Sequence, residues 1–210
     1  QQPIVISGAG ILGCYISCAL SLQGIDSIVL EKKDDEVEDS VRTITLNPFS
    51  KNLLDKIGIE NDYSMINKME VKDFDGTGKI VFKSSEIGMD HLAYVSDFAT
   101  LLMAVRKKAS EKILYKEEII DIDKKGDLNE VTLSSGKVIK TNLIISSDGK
   151  NSKLANKIPK SDKNYFQTAL TFLASAEKDM NMSAFQIFSD NGICASVSYT
   201  HLTLPTNSSV

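Results

Sequence analysis

Residues 8–13 read Gly8-Ala9-Gly10-Ile11-Leu12-Gly13, a G-x-G-x-x-G turn set between an apolar run and a helical pattern. The run before it, Ile4-Val5-Ile6, is uninterrupted, as in a strand of a parallel sheet covered on both faces. After the turn, Ile11, Leu12, Tyr15, Ile16, Ala19 and Leu20 recur at helical spacing. That stripe predicts an amphipathic helix with those residues inward. Gly24 supplies the left-handed residue on which helices commonly end. Ser27-Ile28-Val29-Leu30 then predicts a second buried strand, ending in Glu31. Strand, tight turn, helix and strand within about 30 residues make a βαβ unit.

Each position of the turn has a physical role when a dinucleotide binds there. Gly8 permits the tight turn, Gly10 lets a pyrophosphate approach the backbone, and Gly13 lets the helix pack closely on the strand. The N–H groups of Ile11 and Leu12, at the helix start, point at phosphate oxygens. Glu31 follows the last glycine by eighteen residues, the right distance to accept hydrogen bonds from ribose hydroxyls. The alternative is a glycine-rich turn without a ligand. The turn alone does not separate NAD from FAD.

Further along, Asp34 to Asp39 is acidic and predicts a loop. Ser50 to Ile57 predicts a short helix with Leu53, Leu54 and Ile57 inward. Residues 69–82 are strand-like around an Asp75-Gly76 turn. Phe98 to Ala109 predicts a helix, with Phe98, Leu101, Leu102 and Val105 on one face. Arg106, Lys107 and Lys108 suit its C-terminal end, and both this run and Lys32-Lys33 are expected to be solvated surface. Ile119–Ile122, Glu130–Leu133 and Lys137–Lys140 predict a β-meander. Leu143-Ile144-Ile145 predicts another buried strand, which leads to Asp148-Gly149. Ligands of open α/β sheets bind beyond the carboxyl ends of strands, so Asp148 and Gly149 are expected beside the crevice of Gly10. The fold class is α/β: a Rossmann-like βαβ domain with a β-meander, followed by the start of a mixed α+β domain.

Composition narrows the function. The formal net charge is −4, and no Lys/Arg stripe interleaves with aromatics, so no nucleic-acid partner is expected. Three cysteines without C-x-x-C spacing and two histidines predict neither a disulfide framework nor a metal site. Cys14 and Cys18 share a helix face as small buried residues. No apolar run reaches the length of a membrane span, and no basic segment precedes the first apolar run as in a signal peptide. The expected location is cytoplasmic.

Four stretches together resemble the FAD-dependent aromatic-ring monooxygenases related to para-hydroxybenzoate hydroxylase, and within them the ubiquinone-biosynthesis hydroxylases. They are Val5–Lys32; Asp39–Leu46 with Leu53–Ile59; Leu143–Ser152; and Gln167–Leu170 with Ala184–Phe188. The resemblance implies FAD as cofactor, held by the glycine turn, Glu31, Lys32, Arg42, Asp148 and Gly149. It also implies NAD(P)H as reductant and hydroxylation of a small aromatic substrate, polyprenylated in the ubiquinone relatives. Peripheral contact with the inner membrane, or a biosynthetic complex, follows from such a substrate. The flavin performs the chemistry in this family, so no catalytic side chain is assigned. Lys32 stands where the family usually has Arg, and Ser146-Ser147 where it has Gly-Ala. The helix at 98–105 lacks the family's Arg near its start, and the third FAD motif is absent. A reductase or dehydrogenase of the same superfamily, and a non-catalytic FAD-binding module, are the competing readings.

The resemblance implies a discontinuous FAD-binding domain at 1–68 and 99–158. A strand-rich insertion occupies 69–98, and the start of a truncated substrate domain 159–196. Asp190 is the last charged residue, whereas twenty residues at 25% charge would carry about five. One reverse translation of Val197 to Thr206 resembles a transposon-end adapter used in sequencing libraries. Residues 197–210 are therefore expected to be a non-native tail, and the chain an N-terminal fragment without activity of its own.

Overall fold

The computed structural model describes residues 2–37, 41–149, 152, 154 and 166–199. In chain order its elements are β1 (Ile4–Ser7), α1 (Ile11–Leu22), β2 (Ser27–Glu31), β3 (Thr43–Leu46), α2 (Pro48–Lys56), β4 (Ser64–Ile66), β5 (Lys68–Asp73), β6 (Lys79–Lys83), β7 (Ala93–Asp97), α3 (Phe98–Ala109), β8 (Ile113–Tyr115), β9 (Ile119–Lys125), β10 (Leu128–Leu133), β11 (Val138–Thr141), β12 (Ile144–Ser146), β13 (Ser183–Ser189) and β14 (Gly192–Val197). They form two compact units. The first comprises Gln1–Ser40, Leu54–Glu60 and Phe98–Thr171; the second comprises Val41–Leu53, Asn61–Asp97 and Phe172–Val210.

The first unit is built on a parallel sheet of order β12-β1-β2-β8. β1 is central, with Ile6 paired to Val29 on one side and to Ile145 on the other. Val5 and Ile6 point to opposite faces of the sheet, and both are fully buried. That is why β1 is apolar at every position rather than at every second one. On one face, Val5 and Leu30 join Ile119, Val131, Leu133 and Ile139 of the antiparallel meander β9-β10-β11 in a single core. Each such fully buried side chain contributes about 1.5–3 kcal/mol of transfer free energy. β12 lies at the sheet edge, and Ile144 and Ile145 are half-buried rather than buried as expected.

Helix α1 corrects the expected apolar stripe. Its buried residues are Gly13, Cys14, Ser17 and Cys18. Ile11, Tyr15, Ile16, Ala19 and Leu20 are half-buried, and Leu12 is exposed. α1 packs against α3 and β2, and small side chains on that face let the backbones come close. Ser17 spends its hydroxyl on Ser27 of β2 at 2.8 Å. Gly24, at φ 69°, ends the helix as expected: its N–H donates to the Ser21 carbonyl, and that of Ile25 to the Leu20 carbonyl. These are the two bonds of a Schellman motif.

The second unit contains the sheets β3-β7-β4 and β14-β13-β5-β6. β13 runs parallel to β5, from Ser183 opposite Lys68 to Phe188 opposite Asp73. The segment read as an insertion and the segment read as the start of a further domain are thus hydrogen-bonded into one sheet. Ile66, Ala93 and Val95 form the core of this unit, with Met69, Ala184, Val197 and Tyr199 packed on them. Val197 pairs with Ala184, and the Ser198 N–H donates to the Ser183 carbonyl at 3.0 Å. The first three residues of the expected tail therefore continue the sheet and core, and 200–210 lie outside the described residues. No helix among the described residues is long and apolar enough to cross a membrane.

Candidate functional site

The site grows from the carboxyl end of β1. The chain leaves the sheet at Gly8, whose φ of 101° only glycine adopts readily. Its N–H donates to the Leu30 carbonyl at 2.7 Å. From the far side, Ser147 closes on the same point. Its N–H donates to the Ser7 carbonyl at 2.8 Å. Its hydroxyl lies 2.9 Å from that carbonyl oxygen and 3.0 Å from that of Gly8.

The three glycines are required for different reasons. A Cβ on Gly8 would sit 2.7 Å from the Asp148 Cα, and one on Gly13 would sit 2.0 Å from the Gly8 carbonyl oxygen. Both are glycine because the protein itself fills the space. Gly10 has an ordinary φ of −74°, and a Cβ there would meet nothing within 4 Å. Neither backbone strain nor crowding within the chain calls for glycine at position 10. What does fit is a ligand lying against the bare backbone, the role expected for a pyrophosphate. The first intrahelical bond of α1 runs from the Cys14 N–H to the Gly10 carbonyl, so Ile11, Leu12 and Gly13 carry N–H groups without intrahelical acceptors.

Glu31 ends β2 beside this turn. Its Oε2 accepts from the Ala9 N–H at 3.0 Å and its Oε1 from the Lys33 N–H at 3.1 Å. The carboxylate is thereby fixed in aim, with lone pairs left for further donors.

Arg106 overturns an expectation. The sequence pattern makes it part of a solvated basic run, yet its side chain is only 11% exposed. Its Nε donates to the Ala9 carbonyl at 2.9 Å, and its Nη2 lies 3.6 Å from the Glu31 Oε2. Lys107 and Lys108 do lie on the surface. A helical signal was available: Arg106 falls four residues after Leu102 and three before Ala109, both buried.

Beyond the turn lies a cavity of about 290 Å³, at the lower edge of the range of about 300–1,000 Å³ typical of ligand pockets. Of the expected residues, Gly8, Gly10, Glu31, Lys32, Asp148 and Gly149 line it. Ile11, Leu12 and Gly13 belong to the helix start and not to the wall. Arg42 lies in the second unit, exposed, just ahead of β3. Arg106, Glu117, Glu118, Ile119 and Leu154 also line the wall, unannounced by any motif in the sequence. Glu117 arrives there because Lys116, at φ 58°, turns the chain from β8 into β9. The Glu117 N–H then donates to the Glu31 carbonyl at 3.0 Å. Hydrogen bonds from Ser135 and Ser134 hold the Glu117 carboxyl below its ordinary range. Asp148 accepts from the Ser146 hydroxyl at 2.7 Å. Beneath the turn, burial pushes the Cys14 thiol up to about 12, against the opposing pull of Arg106. It is a packing residue and not a nucleophile.

The profile of one family, described as "FAD binding domain", matches residues 1–200. Among curated proteins, the mitochondrial ubiquinone biosynthesis monooxygenase COQ6 of Danio rerio is 27% identical over 220 residues, covering 90% of this chain and 45% of the relative. The 3-demethoxyubiquinol 3-hydroxylase of Escherichia coli (strain K12) is 26% identical over 210 residues, covering 91% and 54%. The chain thus spans about half the length of these relatives. Among solved structures, p-nitrophenol 4-monooxygenase PnpA from Pseudomonas putida superposes with a TM-score of 0.61 at 17% identity, over 75% of this chain and 43% of that one. CtdE in complex with FAD and its substrate gives 0.60 at 18%, over 75% and 40%. At such identities the structural likeness concerns the fold.

Proposed function

The chain belongs to the FAD binding domain family, and from that premise we propose that it is the FAD-binding part of a monooxygenase that hydroxylates an aromatic ring in ubiquinone biosynthesis. The observation that carries the proposal is Gly10. It is a glycine with no internal cause, placed between a helix N-terminus and a carboxylate already oriented by backbone N–H groups.

In this reading the first unit holds the adenosine and pyrophosphate end of FAD. Gly10 gives the pyrophosphate access to the backbone, and the N–H groups of Ile11 and Leu12 neutralise part of its charge. Glu31 accepts from the ribose hydroxyls, while Lys32, Asp148 and Gly149 complete the wall. When bound, FAD would carry electrons from NAD(P)H to O₂, so that one oxygen atom enters the ring and the other leaves as water. The chain's own residues bind and orient the cofactor. The names of the curated relatives support a prenylated phenolic substrate, and such a substrate favours a location peripheral to the inner membrane.

The test is a titration of the purified protein with FAD, followed by quenching of flavin fluorescence and by retention of yellow colour on desalting. Saturable binding of FAD with no comparable uptake of NAD is expected. A protein that takes up NAD and leaves FAD free would overturn the proposal.

A further inference from the structure

Arg106 contacts the nucleotide-side carboxylate and the glycine turn from beneath. Its Nε donates to the Ala9 carbonyl at 2.9 Å, while the Ala9 N–H donates to the Glu31 Oε2 at 3.0 Å. The guanidinium in turn lies 3.6 Å from that same oxygen. Arg106, Ala9 and Glu31 therefore form a closed circuit, with the polar groups on both sides of Ala9 clamped. A third guanidinium nitrogen, Nη1, reaches the Asp35 carbonyl at 3.5 Å, and the guanidinium lies 5.8 Å from the centre of the Tyr115 ring. One side chain from α3 thus ties together the turn after β1, the end of β2, the loop beyond it and β8.

We propose that Arg106 is a positioning residue for the cofactor: it holds Glu31 and the Ala9 backbone in the geometry the adenosine-pyrophosphate half of FAD meets. The inference rests on the FAD reading above. Both charged side chains are nearly buried, at 11% and 12% exposure. A carboxylate in that setting needs a fixed partner to make up for lost hydration and to hold its aim. A planar fork that lies over an aromatic ring, donates to two carbonyls and faces a carboxylate suits arginine and not lysine. Ala9 sits between Gly8 and Gly10, so fixing its backbone also fixes where Gly10 presents itself to the phosphates.

The test measures the Kd of FAD and of ADP, which shares the adenosine-pyrophosphate half, by isothermal titration. The proteins are wild type, Arg106→Met, Arg106→Lys, Glu31→Gln and the double variant Glu31→Gln/Arg106→Met. The melting temperature without nucleotide reports on the fold. Arg106→Met is expected to weaken FAD and ADP alike by about ten-fold or more, the scale of a charge-assisted hydrogen bond. Arg106→Lys keeps the charge but loses the fork, and should recover only part of the loss. If Arg106→Met does not fold, weakened binding by Arg106→Lys carries the test. Because Arg106 acts in part through Glu31, the double variant should lose less affinity than the two single losses combined, a non-additivity that a merely structural role would not produce. Folded Arg106 variants with wild-type Kd, or strictly additive losses, would overturn the proposal while leaving FAD binding intact. A wild-type protein that binds neither FAD nor ADP would overturn the FAD reading and this inference together.

Discussion

The Ser147 hydroxyl lies 3.0 Å from the Gly8 carbonyl oxygen, joining residues 139 positions apart in the chain. Through this contact β12 and the turn after β1 are set against each other, and Asp148 is brought to the cavity wall. Ser147 thereby locks the two strand ends together.

Gly8 and Gly10 should respond to substitution in opposite ways. Gly8→Ala places a methyl group 2.7 Å from backbone at Asp148 and demands φ 101° of a residue with a side chain. A cost of about 1–3 kcal/mol, typical of overpacking, is expected, seen as a lower urea midpoint. The Cβ of Gly10→Val meets nothing within 4 Å, so this variant should unfold with the wild type, yet lose FAD. Similar midpoints for both variants would show that the crowding at Gly8 is not real.

Glu31→Gln should weaken FAD binding by about 10–100-fold, the equivalent of about 1.5–3 kcal/mol for a hydrogen bond to a charged group. Glu36→Gln, on an exposed residue of the loop after β2, is the control and should bind as the wild type does. Equal affinities in the two variants would remove Glu31 from the site.

Glu70 of β5 is nearly buried, with Lys72, Lys68 and Lys79 at 2.8, 3.1 and 3.2 Å. Hydrogen bonds from these three lysines lower its carboxyl from the ordinary 4.5 to about 2. A lowered folded-state value means that the unfolded chain takes up the proton first. The stabilisation is therefore complete above pH 4.5 and is lost as pH falls towards 2. Glu70→Gln should melt lower than the wild type at neutral pH, and the two curves should converge near pH 2. Parallel curves across that window would show that the lysines do not perturb Glu70.

Of the three cysteines, Cys14 and Cys18 are buried and Cys194 is exposed. A disulfide reagent at pH 8 should modify Cys194 quickly in the native protein, and the other two only after denaturation. Rapid loss of two or more thiols without denaturant would mean that α1 is not packed as described.

The βαβ unit was legible because its signals are local. An uninterrupted apolar strand, a turn that needs glycine and a left-handed helix end are each written within a few residues. The buried face of α1 was legible only in part: Gly13, Cys14 and Cys18 are the small buried residues the sequence leads one to expect, but the apolar stripe beside them is not the buried one, because close packing against α3 selects side chains by size whereas periodicity ranks them by hydrophobicity. Arg106 was missed for a related reason. Two neighbouring lysines made it look like part of a solvated run, and its acceptor on Ala9 is 97 residues away. The parallel pairing of β13 with β5 joins segments more than a hundred residues apart, and nothing in either strand names its partner. The cavity wall at Glu117–Ile119 depends on the left-handed Lys116, a conformation no turn-forming residue announces.

The central place of β1 also sets a timetable for biosynthesis. Its neighbour β2 emerges from the ribosome almost at once, but the other, β12, is made about 140 residues later. At about 5–20 residues per second, the delay is roughly seven to thirty seconds. For that interval the first strand has one open edge, and Val5 lacks the meander that will cover it. The nascent chain is therefore most dependent on chaperones before Ser147 arrives, and a ribosome stalled within the meander would leave that edge waiting.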